Sequence, residues 1–143
     1  MGRKRVLIVE DDSDTRLAYH IILNVKHYDT FFAKDPLSCL WEAHKHRPHL
    51  IIMDLGLSVG DGFRAMEQLT AASHLADIPV IVVSGADATT CRPRALAAGA
   101  YTYFEKPVDQ ALMVRVISGL IGDSADESFT DDSATRRLAA VGF

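Results

Sequence analysis

Three runs of four apolar residues, VLIV at 6–9, LIIM at 50–53 and VIVV at 80–83, each stop at a chemically capable side chain: Glu10, Asp54 and Ser84. The runs are rich in β-branched residues and do not alternate with polar ones. They therefore read as strands buried on both faces, as in a parallel sheet. Two weaker runs, at 30–33 and 101–104, complete a set of five. Segments of helical period separate them. Asp12 or Ser13 caps a first helix with apolar positions Leu17, Ile21, Ile22 and Val25. Leu37, Leu40, Trp41 and His44 share a face of a second, and Phe63, Met66 and Leu69 mark a third. A short fourth is expected over 92–98, with Pro93 in its first turn and Gly99 ending it. Leu112, Val116 and Leu120 mark a fifth. Strand and helix in alternation, five times over, give an α/β fold: a doubly wound, five-stranded parallel sheet with right-handed crossovers.

With 143 residues, 48% of them apolar, the chain forms one ordinary domain with a full core. The fold is expected over residues 1–121. Residues 122–143 change in character, with five acids against Arg136 and Arg137, and read as a flexible acidic tail or linker. Within it, 136–143 has the pattern of a short amphipathic turn. A net charge of −4 argues against direct nucleic-acid binding. Cys39 and Cys91 are far apart and lack a CxxC spacing, which fits reduced thiols in a cytoplasmic protein. Arg3, Lys4 and Arg5 precede too short an apolar run for a signal peptide, and no run is long enough for membrane insertion.

In an open parallel sheet, ligands bind beyond the carboxyl ends of the strands. Four strands end there in Glu10-Asp11-Asp12, Asp54, Ser84-Gly85 and Glu105-Lys106-Pro107. Each residue alone has an ordinary role: an acid after a strand is usually a cap, a serine before glycine a turn, a lysine a solvated charge. Together they bring acids, a hydroxyl and an ammonium to one rim. Carboxylates about 5 Å apart repel by roughly 3 kcal/mol per pair at an effective dielectric near 20. Such a group either protonates or holds a hard cation, and Mg²⁺, with its preference for oxygen ligands and retained waters, suits it. A metal and a lysine beside an aspartate provide what phosphoryl transfer to a carboxylate needs.

The segments LIVEDDSDTR, IIMDLGLSVGDG, VIVVSG and YFEKP stand in this order over about residues 4–121. In order and spacing the chain resembles a response-regulator receiver domain of two-component signalling, which has a (βα)5, flavodoxin-like fold. The resemblance implies roles. Asp54 is then the phosphoacceptor, and Mg²⁺ is held by Asp11, Asp54 and the backbone carbonyl of Gly56, with Glu10 acting through a bound water. Ser84 is the switch hydroxyl, Lys106 binds the phosphoryl group, and Tyr103 is the aromatic that swings inward when Ser84 moves. The Lys106–Pro107 bond becomes a candidate cis peptide. The implied donor is a sensor histidine kinase or a histidine phosphotransfer protein. The output partner is left open, and the expected state is a monomer or a weak phosphorylation-dependent dimer. The chain departs from the family pattern at Ser58, where a proline is usual, and at Ser84, where threonine is commoner. Gly56 and Ala86 are too small to hydrogen-bond an attacking water, which implies slow to moderate self-dephosphorylation.

Two other functions share part of this residue set. A haloacid-dehalogenase-type phosphatase also uses Asp, Ser or Thr, Lys and Mg²⁺. It expects an acid two residues after its nucleophile, where this chain has Gly56, and a second acidic cluster after the nucleophile rather than before it. A receiver scaffold that is never phosphorylated would not need the full set of site residues. The chain is therefore expected to be a signalling module rather than an enzyme. Histidines 44, 46 and 49 fit no zinc spacing. Trp41, Phe31 and Phe32 are expected to serve packing, and the absence of a GxGxxG or P-loop argues against nucleotide binding.

Overall fold

The five apolar runs form the strands β1 (Arg5–Val9), β2 (Asp29–Ala33), β3 (Leu50–Asp54), β4 (Val80–Ser84) and β5 (Thr102–Glu105) of one sheet. A computed structural model describes residues 2–56 and 61–124, so Ser58 and residues 125–143, including the expected turn at 136–143, lie outside the described residues. All strand pairs are parallel, in the order β2-β1-β3-β4-β5. Every residue of β3 and β4 is buried, as expected of strands covered on both faces. The order reverses between β1 and β3, which opens a crevice at their carboxyl ends.

The helices are α1 (Ser13–Val25), α2 (Pro36–His46), α3 (Asp61–Ala71), α4 (Ala88–Ala97) and α5 (Gln110–Ile121). Tyr19 and Leu23 of α1 and Met113 and Ile117 of α5 pack on one face of the sheet. Cys39 and Ala43 of α2, Phe63, Met66 and Leu69 of α3 and Ala95 of α4 pack on the other. Burial pushes the Cys39 thiol up to about 12, so it behaves as a small apolar filler.

Three helices bury their expected face only in part, with Ile22, Leu40, Val116 and Leu120 partly packed against the core. Leu17, Ile21 and Val25 of α1 are exposed, and the sheet takes Tyr19 and Leu23 with part of Ile22. On α2, Leu37 and Trp41 are 78% and 67% exposed, while Cys39 and Ala43 are buried. Trp41 is therefore no packing residue. On α5 Met113 and Ile117 are fully buried, Val116 and Leu120 pack partly against the same cluster, and Leu112 is exposed. Only α3 follows its expected face.

The fourth helix starts earlier than expected. Asp87 caps it by accepting the Thr89 amide at 3.0 Å, so Pro93 lies in its interior rather than its first turn. Gly99 follows at φ +108°, a left-handed conformation that glycine adopts at least cost. β5 begins one residue late, leaving Tyr101 exposed.

Beyond α5, residues 122–124 make defined contacts at the amino ends of the strands. Tyr28 Oη donates to the Gly122 carbonyl at 2.8 Å, and the Lys4 amide donates to Ser124 Oγ at 2.8 Å. Ser124 Oγ in turn donates to the carbonyl of His27.

Gly62, in the first turn of α3, allows that helix to sit directly on the end of β3. A Cβ there would lie 2.8 Å from Leu55 Cα and 3.0 Å from the Asp54 carbonyl oxygen. Gly62→Ala is expected to lower stability by about 1–3 kcal/mol, the usual cost of overpacking against backbone. Urea denaturation measures it, and a loss within error of zero would show that α3 can shift freely.

Candidate functional site

Each strand that reaches the crevice delivers one element of a compact polar site. β1 leads directly into Glu10, which is buried, and then into Asp11, which is exposed. Asp12 turns away. Its carboxylate accepts the Thr15 amide at 2.9 Å and the Thr15 hydroxyl at 2.6 Å, capping α1. Those bonds hold its pKa below the ordinary value. Asp14 lies in the first turn of α1, where the helix dipole favours negative charge.

Asp54 closes β3 and is buried. Its Oδ1 accepts the Gly56 amide at 2.8 Å, which fixes the carboxylate plane. One carboxylate oxygen from each of Glu10, Asp11 and Asp54 lies within 4.8 Å of the others. Three such oxygens, two of them on buried residues, make a donor set of the kind hard divalent cations take, and the cluster can bind a metal. Among the described residues it is the only such group of three, and no histidine belongs to it. The histidines have other partners. His44 Nδ1 and His74 Nε2 are 2.7 Å apart, and His46 stacks on Phe31 with ring centroids at 3.7 Å.

Lys106 reaches in from the end of β5. Its Nζ lies 3.1 Å from Asp54 Oδ2 and 3.3 Å from Glu10 Oε1. Burial pulls the ammonium pKa down, but hydrogen bonds and charge from Asp54 and Glu10 outweigh that and leave it raised. Glu10 has the opposite problem. Burial, then a hydrogen bond and the charge of Asp54, push its carboxyl up to about 7, against the smaller help of the Asp12 amide and Lys106. At neutral pH the cluster is short of positive charge, and a single lysine only partly supplies it.

Ser84 ends β4 and is fully buried. Its Oγ accepts the Ala86 amide at 3.0 Å, and its carbonyl accepts the Lys106 amide at 2.9 Å. The Lys106–Pro107 bond is cis. Tyr103 is buried, with its hydroxyl donating to the Ala86 carbonyl at 3.5 Å. Of the residues singled out from sequence, the structure gathers Glu10, Asp11, Asp54 and Lys106 directly. Gly56 and Ser84 lie against them, and Tyr103 sits one contact further out.

Two arginines escaped the sequence reading. Arg16 Nη1 donates to the carbonyls of Glu10 at 2.9 Å and Asp11 at 3.2 Å, tying the acidic turn to α1. Its signal was its place four residues after the capping Asp12, one helical turn on. Arg92 lies over the Tyr103 ring, 5.0 Å from its centroid. No local pattern marks it, because the contact joins α4 to β5.

The family model for the response regulator receiver domain matches residues 6–118. The transcriptional regulatory protein PrrA of Mycobacterium tuberculosis is 32% identical over 117 residues, which cover 82% of this chain and 49% of PrrA. The chain thus spans about half the length of that relative. The polar-differentiation response regulator DivK of Brucella anthropi is 29% identical, covering 85% of this chain and 98% of DivK. Among solved structures, the receiver domain of the sensor histidine kinase PA1611 from Pseudomonas aeruginosa superposes with a TM-score of 0.75 at 26% identity. The match covers 86% of this chain and all of that one, whose crystals hold a magnesium ion in the active-site cleft.

Proposed function

Because the chain belongs to the response-regulator receiver domain family, we propose that it is a phosphorylation-gated switch that accepts a phosphoryl group on Asp54. The observation that carries this reading is the ammonium of Lys106, 3.1 Å from Asp54 and 3.3 Å from Glu10, beside three convergent carboxylates. The donor is the phosphohistidine of a histidine kinase or histidine phosphotransfer protein. An Asp54 oxygen forms the new P–O bond as the P–N bond breaks, and the imidazole leaves with the electron pair and takes up a proton.

Asp11, Asp54 and the Gly56 carbonyl would hold Mg²⁺, with Glu10 contributing through a water. Bound there, Mg²⁺ supplies positive charge that offsets the charge on the phosphoryl oxygens. Lys106 binds one phosphoryl oxygen and keeps its charge throughout. Ser84 can exchange the Ala86 amide for a phosphoryl oxygen, donating its own O–H. Moving that hydroxyl disturbs the 84–86 turn, to which Tyr103 is tied, and so reaches the surface formed by α4, β5 and α5. Gly56 and Ala86 offer no side chain to orient water, so the phosphoryl group is lost slowly.

The test is incubation of the full chain with a phosphohistidine-bearing donor protein and, separately, with a small acyl phosphate. Intact-mass analysis should show one added phosphoryl group per chain, dependent on Mg²⁺. Labelling indifferent to Mg²⁺, or steady turnover of a generic phosphate ester, would defeat the reading. The second result would point instead to a phosphatase.

A further inference from the structure

We propose that Arg92 is a positioning residue that holds the Tyr103 ring inside the fold before any phosphoryl group arrives. The starting point is that Ala95 is the one fully buried residue of α4, with Ala88 and Cys91 packed partly against the same core cluster. Two arginines on this helix reach aromatic rings on either side of it. The Arg94 guanidinium carbon lies 3.9 Å from the Phe63 centroid on α3, and that of Arg92 lies 5.0 Å from the Tyr103 centroid on β5. Cations over ring faces in this range are attracted by the ring quadrupole.

Arg92 makes more than the ring contact. Its Nη1 donates to the Tyr103 carbonyl at 3.4 Å, and its Nη2 lies 4.0 Å from Glu105. Both ends of the ion pair are substantially exposed, so that pair contributes little by itself. The rigid fork of a guanidinium lets one side chain engage the ring and the carbonyl together, which an ammonium does less well. On its other side Tyr103 is fixed through its hydroxyl to Ala86, whose amide is bound to Ser84 Oγ. A continuous chain of contacts therefore runs from Arg92 through Tyr103 and Ala86 to Ser84. A second path returns from the Ser84 carbonyl to the backbone of Lys106, whose ammonium is on Asp54.

Tyr103 is inside while Ser84 still holds the Ala86 amide. Arg92 accounts for this: it covers the ring and limits the space into which it could swing. The consequence for signalling rests on the proposed function. With the ring already placed, filling the phosphoryl site has less rearrangement to drive, and Arg92 strengthens that step.

The full chain carrying ¹³C-labelled tyrosine provides the test by NMR. In Arg92→Gln the Tyr103 ring resonances should move toward those of a solvent-exposed tyrosine, while Tyr19 and Tyr28, buried elsewhere, stay in place. Arg92→Lys, which keeps a cation near the ring, should fall between the two. Unchanged Tyr103 resonances in Arg92→Gln would overturn the proposal, as would equal shifts at Tyr19 and Tyr28, which would indicate general loosening. Binding of beryllofluoride with Mg²⁺ as a phosphoryl mimic should weaken about two- to five-fold in Arg92→Gln, the range of one such contact at a partly exposed site. Unchanged affinity in a variant whose ring has moved would overturn the coupling to Ser84. Failure of the unaltered chain to bind the mimic at all would instead defeat the function proposed above, and the ring resonances would still decide the role of Arg92.

Discussion

In Asp54→Asn, phosphoryl labelling falls to background while the metal-free protein becomes more stable at pH 8, by about 1–2 kcal/mol. The first effect follows because an amide nitrogen or oxygen cannot form the acyl phosphate. The second comes from the electrostatics of the cluster. Asp54 is a buried carboxylate facing a second buried carboxylate, Glu10, and only one lysine serves both. Burying a charge without full compensation costs several kcal/mol. Asparagine removes that charge and keeps an oxygen for the Gly56 amide. It can also turn an N–H toward Glu10. Lys106 then pairs with Glu10 alone. Thermal or urea denaturation in the presence of a chelator, run beside the labelling assay, reads both effects. A substituted chain less stable than the parent would mean that the Lys106–Asp54 pair outweighs the cost of burial.

Acidification from pH 8 to pH 6 lowers the apparent Mg²⁺ affinity by about tenfold, because a carboxyl with a pKa of about 7 must give up its proton to help hold the cation. Stability without metal runs the other way. The folded Glu10 binds its proton more tightly than the unfolded chain does, with a pKa of about 7 against 4.5. Between those values the native state carries the extra proton, so stability falls as pH rises. The favourable contribution is full below pH 4.5 and gone above pH 7, with an upper limit of about 3 kcal/mol. Mg²⁺ restores what is lost at high pH. Calorimetric titration at pH 6, 7 and 8 measures the affinity, with Glu10→Gln as the control that flattens the profile. A pH-independent affinity in the parent chain would show that Glu10 is already ionised throughout this range.

The strands and the site were legible because both are written locally. Continuous apolar runs define the sheet, and in a parallel sheet the residue after each run falls on the same rim, so Glu10, Asp54, Ser84 and Lys106 could be grouped without coordinates. The capping role of Asp12 could also be read. Asp12, beside a helical segment and three residues before Thr15, is a cap in the structure as in the sequence. The helix faces were harder. Leu17, Ile21 and Val25 form as regular a stripe as Tyr19, Ile22 and Leu23, and periodicity reports only that a stripe exists. Which one meets the sheet depends on packing against α5 and β2, information held by other parts of the chain. On α2 the small residues Cys39 and Ala43 are buried and Trp41 is exposed, because close approach of helix to sheet favours small side chains over the largest apolar one. Arg92 was invisible for a related reason: its partner Tyr103 is eleven residues away on another element.

The contacts of Gly122 and Ser124 with Tyr28, Lys4 and His27 fix where the described chain leaves the fold: at the amino ends of the strands, the pole opposite the acidic crevice. Six residues of extended chain separate Lys4 from Glu10, a distance of about 20 Å. These partners of residues 122–124, Tyr28, Lys4 and His27, include no group of the crevice. A change at the crevice therefore reaches these residues through the body of the domain, along helices and strands that shift together.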